Sequence, residues 1–167
     1  LTHLNQKNCC IINPGIDTTK FRPLEKEKYV LFSGRLARQK GVYDLLAVAK
    51  RMSNVTFIVM GSGEEEEKMR SIASQNVRFV GFMNKEQQKY YDLFGKAAVL
   101  FLPSYGETFG FVQVEAMAAG CPIVSTIPLG SKGTVVQPGD IEGMVTGLAR
   151  LLENEELRIQ YGKENVE

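Results

Sequence analysis

Short apolar segments alternate along this chain with stretches in which apolar residues recur every three or four positions. The apolar segments, of which the last is the weakest, are residues 9–12, 29–32, 55–60, 77–80, 98–102, 122–124 and 134–136. Continuous apolar character is typical of strands covered on both faces, as in a parallel sheet. Helical periodicity falls between them, in residues 42–52, 69–73, 90–94, 110–119, 144–152 and 157–166. The alternation predicts an α/β fold with a doubly wound parallel sheet of about six strands.

Length and charge limit the functions open to the chain. Its 167 residues correspond to one ordinary domain. The formal net charge of +1 provides no extended basic surface for nucleic acid. No run of ~18 apolar residues could span a membrane, and no secretory signal is recognisable. The start at Leu1 rather than at a methionine is typical of a fragment whose upstream part is absent.

The cysteines and the histidine predict neither disulfides nor a metal centre. Cys9 and Cys10 are adjacent and Cys121 is distant, which is not the spacing of a disulfide framework. We expect all three to be small buried thiols in a reducing compartment. His3 is the single histidine, and no Cys/His cluster has zinc-binding spacing.

Ligands of doubly wound sheets bind where strands end and helices begin, so the loops after the strands hold the candidate site. In the first such loop, Arg35 and Lys40 lie between Gly34 and Gly41. The planar fork of an arginine and the point charge of a lysine suit a diphosphate. An equally simple explanation is that both are solvated loop charges.

The next two strand ends give weaker signals. Gly61 and Gly63 permit a tight turn, and the acidic run 64–67 is expected in the first turn of a helix, where it would disfavour phosphate. After the third strand, Phe82 could meet a nucleobase or form a hydrophobic staple, and Asn84 is a candidate helix N-cap.

The segment 103–120 is the most informative. A strand ends at Leu102, and a helix is expected to start near Gly110, where free amides attract an anion or a sugar. Glu107 lies in the loop, and Glu115 lies on a helix face shared with apolar and small residues: Phe111, Val112, Ala116 and Ala119. Because a buried carboxylate needs partners, Glu115 is expected either to bind ribose hydroxyls or to face water or a nearby lysine.

Taken in order, these segments resemble the C-terminal, donor-binding domain of retaining GT-B glycosyltransferases of the large E-x7-E group. This group of glycosyl transferases (group 1) includes glycogen synthases and mannosyltransferases. The matching motifs are Ile12–Asp17, Gly34-Arg35 with Lys40-Gly41, Gly61-Ser62-Gly63, Pro103-Ser104, Glu107 with Glu115, Glu115–Ala118, Gly120–Pro122 and Pro138–Asp140. The resemblance implies that residues 1–167 form the Rossmann-like C-terminal half of a GT-B fold.

The resemblance also implies roles at the matched positions. Arg35 and Lys40 would hold the donor diphosphate and stabilise the departing nucleoside diphosphate. Glu107 would bind donor-sugar hydroxyls and is, with these two cations, an expected catalytic residue. Glu115 would accept hydrogen bonds from the 2′- and 3′-hydroxyls of the ribose. The other expected donor-binding residues supply backbone amides, close backbone approach or packing: Gly34, Gly61, Phe82, Thr108, Phe109, Gly110, Phe111 and Val112.

The implied function is hexosyl transfer, with retention of anomeric configuration, from a UDP-, GDP- or ADP-sugar, without a metal or another cofactor. A glycan, lipid or small-molecule acceptor would bind an N-terminal domain that is absent here, so we expect little or no transfer by residues 1–167 alone. The resemblance implies a cytoplasmic protein, with peripheral contact at the inner membrane face left open. The loop 125–133 is shorter than usual for the family, either because it is short or because residues are missing from it.

Two other functions stay open. The first is a GT-B relative with other chemistry. A phosphorylase of this fold uses a lysine-bound pyridoxal cofactor, which no residue pattern here demands, and an epimerase usually lacks the pair formed by Glu107 and Glu115. A non-catalytic nucleotide-binding module is disfavoured because Arg35 and Lys40 accompany these two acids.

Overall fold

The computed structural model describes residues 15–167, so the apolar segment 9–12 and the motif residues before Gly15 lie outside it. Six strands form one sheet, and every pair of neighbouring strands is parallel. The strands are β1 (Glu27–Ser33), β2 (Thr56–Met60), β3 (Val77–Gly81), β4 (Ala97–Leu102), β5 (Ile123–Ser125) and β6 (Gly133–Val135). Their order is β3-β2-β1-β4-β5-β6. The predicted doubly wound, Rossmann-like sheet is thus confirmed, and the strand order reverses between β1 and β4.

Helices follow the strands as the periodicity predicted. They are α1 (Val42–Arg51), α2 (Glu66–Ile72), α3 (Gln88–Lys96), α4 (Phe111–Ala118), α5 (Ile141–Glu153) and α6 (Glu155–Val166). Two begin at side-chain caps, because Asp140 accepts a hydrogen bond from the Gly143 amide and Asn154 accepts one from the Leu157 amide, both at 2.9 Å. None of the helices in residues 15–167 has both the length and the apolar character needed to cross a lipid bilayer.

The core lies on both faces of the central strands. All six residues of β4 are buried, and so are the last five of β1. The edge strands β3 and β6 are only partly buried, since each has a neighbouring strand on one side alone. Cys121 is buried as expected, and burial raises the pKa of its thiol to about 11; Cys9 and Cys10 lie outside the described residues. Continuous apolar segments therefore marked the strands covered on both faces.

One local prediction was correct only in part, and another was wrong. Glu66 and Glu67 lie in the first turn of α2, as predicted for the acidic run, but Glu64 and Glu65 precede the helix. The helix after β2 begins at Glu66, and Glu65 precedes it with its carboxylate bound to the Arg38 guanidinium at 2.8 Å and to the Tyr43 hydroxyl. Asn84 does not cap α3, since its side chain accepts a hydrogen bond from the Glu86 amide at 3.2 Å and α3 starts only at Gln88. The chain completes a turn between β3 and α3 before the helix can begin.

Candidate functional site

A cleft of about 610 Å³ opens at the carboxyl end of the sheet, where the ends of β1, β2 and β3 face the start of α4. This edge of a parallel sheet, close to the reversal of strand order, is where such folds bind ligands. Seven of the predicted donor-binding residues line the cleft: Gly34, Arg35, Gly61, Phe82, Phe111, Val112 and Glu115. Arg35 and Glu115 therefore line one cavity, as the sequence predicted.

The loops after β1 and β2 are joined backbone to backbone. The Gly34 amide donates to the Met60 carbonyl at 3.0 Å, and the Leu36 amide donates to the Ser62 carbonyl at 2.9 Å. A Cβ atom at Gly61 would lie 1.9 Å from the Gly34 carbonyl oxygen, so glycine is required there. This contact fixes the loop that carries Arg35 against the wall of the cleft.

Arg35 itself is exposed on that wall. Within residues 15–167, no carboxylate lies at salt-bridge distance from its guanidinium. By contrast, Arg38, three residues further along, is bound to Glu65. The positive charge of Arg35 is therefore available to an anion in the cleft.

Lys40 and Glu107 form a second group, outside the lining of the 610 Å³ cleft. Lys40 Nζ lies 2.6 Å from Glu107 Oε2, and the hydroxyl of the buried Ser104 donates to Glu107 Oε1 at 2.8 Å. The amide of Tyr105 donates to the Gln39 carbonyl at 2.8 Å, which ties the two loops together. The two residues thus neutralise each other beside the cleft. The sequence predicted one crevice lined by all four charged residues, but of these only Arg35 and Glu115 line it.

Glu115 is 1% exposed, in the wall of the cleft. Lys85 Nζ forms an ion pair with its Oε1, and the Tyr90 hydroxyl donates to its Oε2 at 2.7 Å. Burial and the neighbouring Glu115 carboxylate raise the pKa of Tyr90, so its hydroxyl stays protonated and can donate. A lysine partner was one alternative that the sequence left open, but nothing in the sequence identified Lys85 or Tyr90.

The amino end of α4 lies at the mouth of the cleft. The residue before it, Gly110, has no side chain that could cap this end and has a left-handed φ of 78°. A Cβ atom at Gly110 would lie 2.3 Å from Leu129 Cδ1, so the loop after β5 packs directly on the helix start. Phe111 lines the cleft together with Val112 and Glu115, as their predicted common helix face implied. Its side chain is 41% exposed, and the centroid of its ring lies 4.8 Å from that of Phe109. The first helical turn leaves this ring facing the cleft.

Three further predicted residues, Thr108, Phe109 and Gly110, lie in the turn between Glu107 and α4 and do not line the cleft. The prediction for these residues is that their backbone amides bind the donor sugar and the distal phosphate.

Gln113 is a buried residue that the sequence reasoning missed. Its amide nitrogen donates to Ser125 Oγ at 2.9 Å and to the Ile127 carbonyl at 3.2 Å. The loop beyond β5 is also held by Thr126, whose hydroxyl donates to the Ser104 carbonyl. These bonds attach the segment 125–127 to α4 and to the strand end before Glu107. The available signal was a glutamine between two valines in a helix whose only other polar residue is Glu115.

We expect Gln113→Leu to lower the free energy of unfolding by about 1–2 kcal/mol, because the buried acceptors of the loop lose their donor. Amide hydrogen exchange should also be faster at Ile127. Urea denaturation and exchange measured by mass spectrometry would check both effects. The matched control is Gln160→Leu, which removes only an exposed contact with Glu164. Unchanged exchange at Ile127 in the Gln113 variant would contradict the proposed attachment.

Comparison with known proteins identifies a family for the chain. The family described as "Glycosyl transferases group 1" matches residues 16–167. Over 147 residues the chain is 33% identical to a 2-deoxystreptamine N-acetyl-D-glucosaminyltransferase of Niallia circulans, covering 77% of this chain and 37% of that protein. Over 154 residues it is 35% identical to a phosphatidyl-myo-inositol mannosyltransferase of Mycobacterium leprae, covering 80% of this chain and 40% of the other.

The fold also matches a solved structure of HepE from Anabaena in complex with UDP and glucose. The TM-score is 0.78 at 19% identity, and the match covers 91% of this chain and 49% of that one. The chain spans from 27% to 47% of the length of the curated relatives it matches. Because the family match extends over nearly all of the sequence, this chain belongs to the glycosyl transferases group 1 family.

Proposed function

We propose that this chain is the C-terminal donor-binding domain of a retaining glycosyltransferase, which transfers a hexose from a nucleotide-diphosphate sugar to an acceptor. One observation carries the proposal: a buried glutamate and an arginine that forms no salt bridge with any of residues 15–167 line a single cleft at the carboxyl end of the sheet. An anionic group and a pair of hydroxyls, held a few ångströms apart, are what a nucleoside diphosphate presents.

In this proposal, the diphosphate lies against Arg35 and the amino end of α4, because both attract negative charge. The ribose lies on Val112 with its hydroxyls toward Glu115. Phe82, which is 75% exposed at the rim of the cleft, offers a ring for the nucleobase to stack on. The sugar would then extend toward Lys40 and Glu107, whose ion pair lies beside the cleft.

During transfer, the bond between the sugar C1 and the β-phosphate oxygen breaks, and its electron pair leaves with the nucleoside diphosphate. The acceptor hydroxyl oxygen bonds to C1 on the same face and gives its proton to the departing phosphate. Arg35 and Lys40 stabilise the negative charge that develops on that phosphate, so we propose that no metal ion is needed. Retention rests on the resemblance of Glu107 and Glu115 to the E-x7-E pair.

The named activities of the relatives support a hexose donor. The Niallia enzyme is an N-acetylglucosaminyltransferase, the mycobacterial enzyme is a mannosyltransferase, and HepE is seen with UDP and glucose. These names include more than one sugar, so they leave UDP, GDP and ADP as donor nucleotides to be compared. The acceptor would bind a second domain that completes the cleft.

Calorimetric titration of UDP, GDP and ADP, and of their hexose derivatives, tests the proposal on the 167-residue chain. We expect one nucleotide to bind with a dissociation constant in the range of about 1 μM to 1 mM, as is usual for enzyme substrates. Binding should be the same with and without EDTA, because protein cations replace the metal. If none of the six ligands binds, the donor-binding assignment is wrong.

A further inference from the structure

The buried carboxylate of Glu115 is held by two side chains that the donor-binding assignment does not require. Lys85 Nζ is paired with Oε1, while the Tyr90 hydroxyl donates to Oε2. Each carboxylate oxygen thus has one partner of its own, and the two partners fix the plane of the group. Both partners also line the cleft, so they lie where a bound nucleotide would be.

Further contacts hold these two partners in place. The Tyr90 ring packs against the rings of Phe21, Tyr91 and Phe94 at centroid distances of 6.5, 5.4 and 5.3 Å. The Tyr91 hydroxyl donates to the Lys85 carbonyl at 2.5 Å, which anchors the backbone of the lysine. The ammonium of Lys85 lies 5.7 Å from the centroid of the Tyr90 ring. The lysine and the tyrosine therefore form one unit on the carboxylate.

This arrangement leaves Glu115 with a defined remaining capacity. An ionised carboxylate has about four acceptor sites, two on each oxygen. Lys85 and Tyr90 occupy one on each oxygen, so one site per oxygen is left. Two neighbouring acceptors in a fixed plane match the two hydroxyls of a vicinal diol, and each hydroxyl meets an oxygen that is already polarised by a donor.

We propose that Lys85 and Tyr90 are positioning residues, which hold the Glu115 carboxylate so that it distinguishes a ribose from a 2′-deoxyribose. The inference rests on the proposed function, because it takes the ligand of the cleft to be a nucleotide. Lys85 acts through Glu115 rather than on the diphosphate. Its side chain is 58% exposed, so its removal opens no cavity in the core.

The test is calorimetric titration of the nucleoside diphosphate that the wild-type chain binds best and of its 2′-deoxy counterpart. The wild type should prefer the ribonucleotide by about tenfold or more, since one hydrogen bond to a charged group is lost with the 2′-hydroxyl. In Lys85→Met the preference should fall to within about threefold, and Lys85→Arg should restore it. Tyr90→Phe keeps the packed ring and should reduce the preference to an intermediate value.

Lys89→Met is the matched control, since Lys89 is an exposed lysine of α3 that does not line the cleft and forms no salt bridge with any of residues 15–167. It should keep the wild-type preference. Thermal melting establishes whether each variant is folded. If Lys85→Met does not fold, the preference measured in Tyr90→Phe tests the proposal.

Three results would overturn the inference. Equal weakening of both ligands in Lys85→Met would mean that the lysine acts on the phosphates by charge alone. Tighter ribonucleotide binding in that variant would mean that Lys85 competes with the ribose for Glu115. Failure of the wild type to bind any nucleoside diphosphate would contradict the proposed function itself. This result is distinguishable from a failure of the positioning role alone, because it appears in the wild type without any variant.

Discussion

Arg35→Ala is expected to weaken binding of the nucleoside diphosphate by roughly 10- to 150-fold, or ~1.5–3 kcal/mol, the usual effect of losing a hydrogen bond to a charged group. The effect should be large because this guanidinium lies on the wall of the cleft with no acid of residues 15–167 beside it. Since Arg35 forms no salt bridge with any of residues 15–167, its removal should barely change the melting temperature. Titration of the variant with UDP, GDP and ADP would measure the loss.

Arg38→Ala is the matched control for this prediction. It removes the same charge from the same loop, but the Arg38 guanidinium is bound to Glu65 and does not line the cleft. Binding should therefore be unchanged. A wild-type affinity in Arg35→Ala, or an equal loss in both variants, would show that the diphosphate does not lie against Arg35.

Lys40→Ala is expected to weaken nucleotide binding in the same titration, for two reasons. Its removal also leaves the Glu107 carboxylate without its cation, so Lys40→Ala adds repulsion of the diphosphate to the loss of a positive charge. A double variant lacking both Arg35 and Lys40 that still bound like the wild type would exclude a diphosphate in this site.

Gly41→Ala should have the second large effect, on stability and on binding together. Gly41 has a left-handed φ of 66°, and a Cβ atom there would lie 1.9 Å from the Pro103 carbonyl oxygen. The left-handed conformation costs a residue with a side chain about 1–2 kcal/mol, and overpacking adds about 1–3 kcal/mol. We therefore expect the free energy of unfolding to fall by about 3 kcal/mol. Nucleotide binding should weaken by roughly 10- to 100-fold, because the loops carrying Arg35 and Glu107 must separate.

Gly130→Ala separates the two causes. Gly130 has a similar φ of 76°, but no atom of residues 15–167 lies within 4 Å of where its Cβ would be. This control should lose only the conformational part, about 1–2 kcal/mol, and should keep its affinity. Urea denaturation and calorimetry on both variants would measure the difference. Equal losses of stability would mean that the contact between Gly41 and Pro103 relaxes at no cost.

Parts of the site were predictable because they depend on position along the chain. A strand-helix alternation places the residues after each strand at one edge of a parallel sheet, so the order of residues alone assigns Arg35, Gly61 and Phe82 to that edge. The reason why position 61 requires glycine, by contrast, is seen only in the structure, where the Gly34 carbonyl occupies the space that a side chain would need.

Other parts were not predictable from the sequence. Phe111 and Glu115 line the same cleft, as their predicted common face on α4 implied, but the sequence did not show that Phe111 is 41% exposed and Glu115 only 1% exposed. Lys40 and Glu107 were both expected around the donor, but nothing in the sequence indicated that they pair with each other beside the cleft, 67 positions apart in the chain. A helical period describes which face is buried only where a neighbouring layer covers it.

The sequence by itself determined the strands, the helices and the edge of the sheet at which a ligand can bind. Apolar periodicity is a local property, so it is legible in the chain without knowledge of the fold. Only the tertiary structure decided which side chains meet: Glu115 with Lys85 and Tyr90, and Gln113 with the loop after β5. Those contacts depend on the order of the strands and the lengths of the turns between them, which bring residues distant in sequence to within a few ångströms.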